Sequence, residues 1–79
     1  MDPRDVARLI EAGLADAEAH VTGDGSHFDA TVISTTFAGK SLLERQRMVY
    51  ATVNEQIASG ELHALSIKTF TPEQWAGRS

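Results

Sequence analysis

Apolar residues recur at intervals of three and four through Val6, Leu9, Ile10, Leu14 and Ala17, the spacing that lines one face of an α-helix. Asp2 stands at the capping position with Pro3 first in the helix, so the pattern predicts a helix over residues 3 to 17. From Ala19 the period changes. A short segment around His20 to Thr22 and the β-branched run Phe28-Asp29-Ala30-Thr31-Val32-Ile33-Ser34 flank Gly23-Asp24-Gly25-Ser26, whose Asp-Gly step signals a turn and predicts a β-hairpin. Ser41 and Glu44 then form a capping box, and Leu42, Val49, Val53 and Ile57 mark one side of a main helix running to about Ser59, where Gly60 can stop it. Leu62 to Thr69 reads as a third strand. Thr71-Pro72-Glu73-Gln74 repeats the cap-plus-proline start and opens a short closing helix that carries Trp75.

The order is helix, strand, strand, helix, strand, helix, and the helical chain between strands two and three is long enough for a parallel crossover. An α+β fold follows, a three-stranded mixed sheet with helices packed on one face. If strand three runs beside strand two, His27 just before strand two approaches His63 at the start of strand three. With adjacent strands about 4.8 Å apart, two imidazoles there can converge on one ion or cluster at the hairpin edge.

Seventy-nine residues support one small core, so residues 1–79 read as a single domain with little room for a large catalytic site. The absence of cysteine excludes disulfides, a thiol nucleophile and any all-thiolate metal site built by this chain alone. A net charge of −4 repels phosphate backbones on average and leaves nucleic-acid binding to a local basic patch. No apolar run has the length of a membrane span, and the amino-terminal residues lack the pattern of a secretory signal, so a cytoplasmic protein is expected. Serines, carboxylates and histidines stand in no nucleophile or metal-hydrolase spacing, which argues against an enzyme.

Two blocks in order, Phe37-Ala38-Gly39-Lys40-Ser41-Leu42-Leu43-Glu44-Arg45-Gln46-Arg47-Met48-Val49-Tyr50 and Leu62-His63-Ala64-Leu65-Ser66-Ile67-Lys68-Thr69-Phe70-Thr71-Pro72-Glu73-Gln74-Trp75, resemble the signature of BolA-like proteins. The hairpin Val21-Thr22-Gly23-Asp24-Gly25-Ser26-His27-Phe28 resembles the acid-stress-associated IbaG-like branch, so the similarity covers nearly the whole chain. The resemblance implies a fold related to the class II KH domain, and cytosolic partnership with monothiol glutaredoxins in iron-sulfur cluster transfer and iron homeostasis. Two departures bear on it. Many relatives carry a histidine between the two arginines of the main helix where this chain has Gln46, and the Gly-x-x-Gly clamp of true KH domains is absent.

The resemblance maps His63 onto the family's cluster-ligating histidine and suggests His27 as the variable loop ligand. Read alone, His63 in phase with Leu65 and Ile67 is a partly buried histidine bonded to backbone, and His27 is a solvent-exposed loop histidine. His20, alternating along an edge strand, stays outside the ligand set. Two imidazoles cannot complete a 2Fe-2S cluster, which needs four outer ligands. The resemblance supplies the others as a glutaredoxin cysteine and a glutathione thiolate, in a heterodimer, with the chain alone a cofactor-free monomer. Because imidazole binds metal only when deprotonated, ligation should weaken with acid. Lys40, Arg45 and Arg47 form the one local concentration of positive charge, and with Lys68 they are candidates for contact with an acidic partner, glutathione carboxylates or nucleic acid. A nucleic-acid-binding transcriptional regulator using the start of the main helix is the alternative reading.

Overall fold

The computed structural model describes residues 1–78. Helix α1 spans Pro3–Gly13, strands β1 and β2 span Ala17–Gly23 and His27–Ser34, and a 3-10 turn covers Thr35–Phe37. Helices α2 and α3 span Leu42–Thr52 and Asn54–Ser59, β3 spans Ala64–Phe70, and α4 spans Pro72–Gly77. The sheet order is β1-β2-β3, with β1 antiparallel to β2 and β2 parallel to β3. This is the mixed three-stranded sheet that the sequence predicts.

All three expected caps form. Asp2, Ser41 and Thr71 each accept a backbone N–H from the first turn, and Asp5, Glu44 and Gln74 reach back to close capping boxes. Val6 and Ile10 of α1, Phe28 and Val32 of β2, and Val49 and Val53 around the end of α2 have no exposed surface. Phe37 and Leu62 complete that core. Each such side chain contributes about 1.5–3 kcal/mol by leaving water.

Helix α1 stops at Gly13, four residues before the predicted end. Leu14 is extended at φ −128° and Asp16 turns left-handed at φ 50°, which sends Ala17 into β1. Leu14 still packs on the core, so the apolar spacing outlasts the helix. The predicted main helix is broken at Val53, whose N–H returns to Tyr50 O while Thr52 Oγ1 donates to Val49 O at 2.6 Å. Such back-bonding by threonine bends a helix. The break keeps Val53 inside and turns Ile57 to 39% exposure, while Leu42 at the other end is 72% exposed, so neither belongs to the buried stripe that the spacing predicts.

Helices α1 and α2 cover the face of the sheet bearing Ala19, Val21, Phe28, Ala30 and Val32. The short α4 closes the trailing end, where Trp75 packs edge-on against Phe70 (5.2 Å) and stacks on His20 (5.9 Å). His20 and Phe70 are out of phase with the core-facing positions, so Trp75 lies against the other face.

Candidate functional site

The leading end of the β2–β3 pair is built around the β1–β2 turn. Asp24 N–H donates to His27 O at 3.2 Å, and Asp24 Oδ1 accepts the N–H groups of Ser26 (3.0 Å) and His27 (2.9 Å). Those two donors, that of His27 foremost, hold the Asp24 carboxyl below the usual carboxylate range. Gly25 takes φ +99°, a left-handed conformation suited to glycine. At Gly23 a Cβ would stand 2.5 Å from Phe28 Cδ1 and 2.6 Å from His27 O, so the chain passes too close there for any side chain.

This turn delivers His27 as the first residue of β2, with its side chain half-exposed. Nε2 lies 3.5 Å from Ser66 Oγ and 3.7 Å from Asp29 Oδ1, which leaves Nδ1 as the ring nitrogen without a partner. In the parallel register His27 faces Ala64. His63 is the residue before Ala64 and is exposed, with no side-chain hydrogen bond among the described residues. It stands one position ahead of β3 rather than at the strand's start, because Leu62 leaves the ladder to enter the core. The register therefore brings the backbones of the two histidines together at one end of the sheet, with neither side chain buried.

Helix α2 braces the strand that follows His63. Tyr50 Oη donates to Leu65 O at 3.0 Å, and Gln46 Nε2 donates to Ile67 O at 3.1 Å. Gln46, the position that departs from the family pattern, is thus a support for β3. Asp29, Ser66, Tyr50 and Asp24 did not emerge from the sequence as site residues. Asp24 had a signal as part of the Asp-Gly turn and Asp29 because two residues along a strand share a face, whereas Ser66 and Tyr50 are placed only by tertiary register.

Two exposed imidazoles stand at this end of the sheet, and among the described residues no group of three or more His, Asp or Glu side chains could hold a metal ion. The remaining ligands of a 2Fe-2S cluster would have to come from outside the chain.

The positive charges are distributed differently from the sequence expectation. Arg45 is buried at 7% exposure: Nε donates to Lys40 O at 3.2 Å, one terminal nitrogen donates to Gln74 Oε1 at 2.9 Å, and the guanidinium lies 5.7 Å from the Phe37 ring centroid. It fastens α2 to α4 and is withdrawn from the surface patch. Arg4 and Arg8 pair with Asp2 and Asp5, and Arg78 lies over Trp75 at 3.5 Å. Lys40, Arg47 and Lys68 are exposed and have no carboxylate at ion-pair distance among the described residues. Lys68 borders a depression of about 200 Å³ with Asp29, Thr31 and Ser66. His20 pairs with Glu18 and stacks on Trp75.

These features define a small α+β protein of KH-like order, lacking the phosphate-clamping glycines and carrying its candidate donors as imidazoles at one end of the sheet. Comparison with known proteins agrees. The family model described as BolA-like protein matches residues 9–74, and the chain belongs to that family. It is 38% identical over 76 residues to the acid stress protein IbaG of Escherichia coli strain K12, an alignment covering 96% of this chain and 90% of that protein. Its fold matches a bolA protein homologue from Coxiella burnetii with a TM-score of 0.88 at 38% identity, covering 96% of this chain and 97% of the other. The BolA domain of SufE1 from Arabidopsis thaliana matches with a TM-score of 0.77 at 32% identity, covering 90% and 92% of the respective chains. Among the described residues no helix is long and apolar enough to cross a membrane.

Proposed function

We propose that this chain is a noncatalytic cytoplasmic adaptor that binds a monothiol glutaredoxin and shares with it a 2Fe-2S cluster, serving cluster trafficking, iron homeostasis and the response to acid stress. The cluster is cargo. The observation that carries the reading is the meeting of His27 and His63, both outside the core, at the leading end of a parallel strand pair in a chain without thiols. Neutral imidazole is a known replacement for thiolate on one iron of such a cluster, and histidine ligation shifts its stability and potential. His63 is the principal donor in this reading and His27 the second. The sulfur donors come from the glutaredoxin cysteine and from glutathione.

The chain's own residues prepare the donors. Asp24 pins the turn ahead of His27, Asp29 and Ser66 engage Nε2 and leave Nδ1 open, and Tyr50 and Gln46 steady β3 behind His63. Acid works against this arrangement, because protonated imidazole has no lone pair for a metal. The acid-stress name of the Escherichia coli relative supports that part of the reading. The KH-like order supports a second reading, nucleic-acid binding through Lys40 and Arg47, against which stand the buried Arg45 and the net charge of −4. A steep salt dependence of DNA binding would favour it.

The test is anaerobic mixing with a monothiol glutaredoxin, glutathione and cluster, followed by visible absorption and circular dichroism. His63→Ala is expected to leave the chain folded and change the cluster's spectrum and lifetime, and His27→Ala to have a similar or smaller effect. A spectrum unchanged in both variants rejects the assignment.

A further inference from the structure

Strand β1 forms one edge of the sheet, and its outward backbone groups can be assigned residue by residue. Hydrogen-bonded and non-bonded pairs alternate along an antiparallel ladder. The bond from Asp24 N–H to His27 O makes that pair a bonded one. The pairs Thr22–Asp29, His20–Thr31 and Glu18–Ile33 are then bonded in turn, and Ala17, Ala19, Val21 and Gly23 direct N–H and C=O away from β2. One of these groups is occupied, since Ala19 N–H donates to Glu11 Oε2 of α1 at 3.0 Å. No partner among the described residues meets the N–H or C=O of Val21 or Gly23. The opposite edge differs. On β3 the carbonyls of Leu65 and Ile67 are already taken by Tyr50 and Gln46. The sheet has one braced edge and one open edge.

An exposed row of strand N–H and C=O groups is a template for another strand. Charge selects the occupant. A second copy pairing about Val21 through a two-fold axis would set Glu18 opposite the partner's Asp24, twice, between chains that each carry −4. Directly opposed like charges destabilise a strand pair, whereas opposite charges stabilise it. Glu18 Oε2 pairs with His20 and Asp24 Oδ1 takes the Ser26 and His27 amides, and the two carboxylates stand six residues apart, so their other oxygens fit cations at both ends of a seven-residue extended segment.

We propose that the Val21–Gly23 edge of β1 docks an extended, lysine- or arginine-bearing peptide segment of another protein by antiparallel strand addition, with Glu18 and Asp24 facing its cations. The surface adjoins the turn that holds His27, whose N–H is accepted by Asp24 Oδ1, and its occupant is recognised by backbone pairing and charge.

The probe is a seven-residue peptide with lysine at odd positions and valine at even ones, titrated against the intact chain by NMR with amide exchange, and a glutamate-for-lysine peptide is the control. Saturation is expected to slow exchange of the Val21 and Gly23 amides about tenfold or more, and the control to leave them unchanged. Val21→Pro removes an outward N–H and no bond to β2, and it is expected to weaken binding about tenfold or more. Should that variant fail to fold, the exchange measurement on the unaltered chain decides. Unaltered exchange at Val21 and Gly23, shifts centred on α2 or β3, equal binding of the glutamate peptide, or a peptide-free dimer that protects these amides would each overturn the proposal.

Discussion

Replacing Arg45 by alanine separates a structural arginine from one that serves a surface patch. In the folded chain this guanidinium holds Lys40 O and Gln74 Oε1 and rests on the Phe37 ring, with no carboxylate at ion-pair distance among the described residues. Arg45→Ala removes two hydrogen bonds from a charged donor, each worth about 1.5–3 kcal/mol. Gln74 Oε1 keeps its bond from Thr71 N–H at 2.9 Å, so the acceptor left bare is Lys40 O. Relief from desolvating an unpaired cation offsets part of the loss, and the net destabilisation is about 2–4 kcal/mol. For a chain of this size that is a urea midpoint lower by about 2–4 M, with a slope near 1 kcal/mol/M. Lys40→Ala and Arg47→Ala, at exposed positions, are expected to stay within about 0.5 kcal/mol of the unaltered chain. Arg45→Met should cost less than Arg45→Ala, because the methionine stem fills the space above Phe37. Equal urea midpoints for Arg45→Ala and Lys40→Ala would refute the assignment of Arg45 to the interior.

Gly23→Ala should destabilise the chain by about 1–3 kcal/mol in the same assay, since the new methyl group meets Phe28 and the His27 carbonyl at sub-contact distances. Tyr50→Phe should cost about 1 kcal/mol through loss of the bond to Leu65 O, and the Leu65–Ile67 segment should exchange its amides faster. Asp24→Ala should speed amide exchange at His27 at neutral pH, because the carboxylate that accepts that N–H is gone. The acid response of that contact has a definite sign. Since the Asp24 carboxyl is lowered from 3.8, its stabilisation is complete above that value and lost as pH falls through the lower folded-state value, so the turn should remain pinned at the mildly acid pH where imidazoles protonate. Accelerated His27 exchange near pH 5 would contradict this.

The parts of this fold set by neighbours in sequence are legible without coordinates. Asp2, Ser41 and Thr71 cap helices because their hydroxyl or carboxylate oxygens need only the next turn's N–H groups, and the Asp24-Gly25 turn needs only the Asp24 carboxylate and the N–H groups two and three residues on. Element order and length allow the parallel meeting of His27 with the start of β3, and the strand order β1-β2-β3 realises it. Where tertiary contacts decide, the sequence is silent or misleading. Leu14 carries the helical spacing past the end of α1 because it packs from an extended segment, and Val53 enters the core from a break between two helices. Arg45 sits in a cluster of charges that reads as a solvated patch. Its acceptors are the Lys40 carbonyl and Gln74, twenty-nine residues along the chain, and no local pattern announces them. The same holds for Ser66 beside His27, 39 residues away.

The central claim is that this chain donates imidazole nitrogen to a cluster whose sulfur ligands belong to others. The most direct measurement is pulsed electron paramagnetic resonance of the reduced cluster assembled with glutaredoxin and glutathione, using this chain labelled with nitrogen-15 only in its histidines. The account predicts strong hyperfine coupling to labelled imidazole nitrogen that is lost or halved in His63→Ala. A cluster-loaded complex with no such coupling would contradict it.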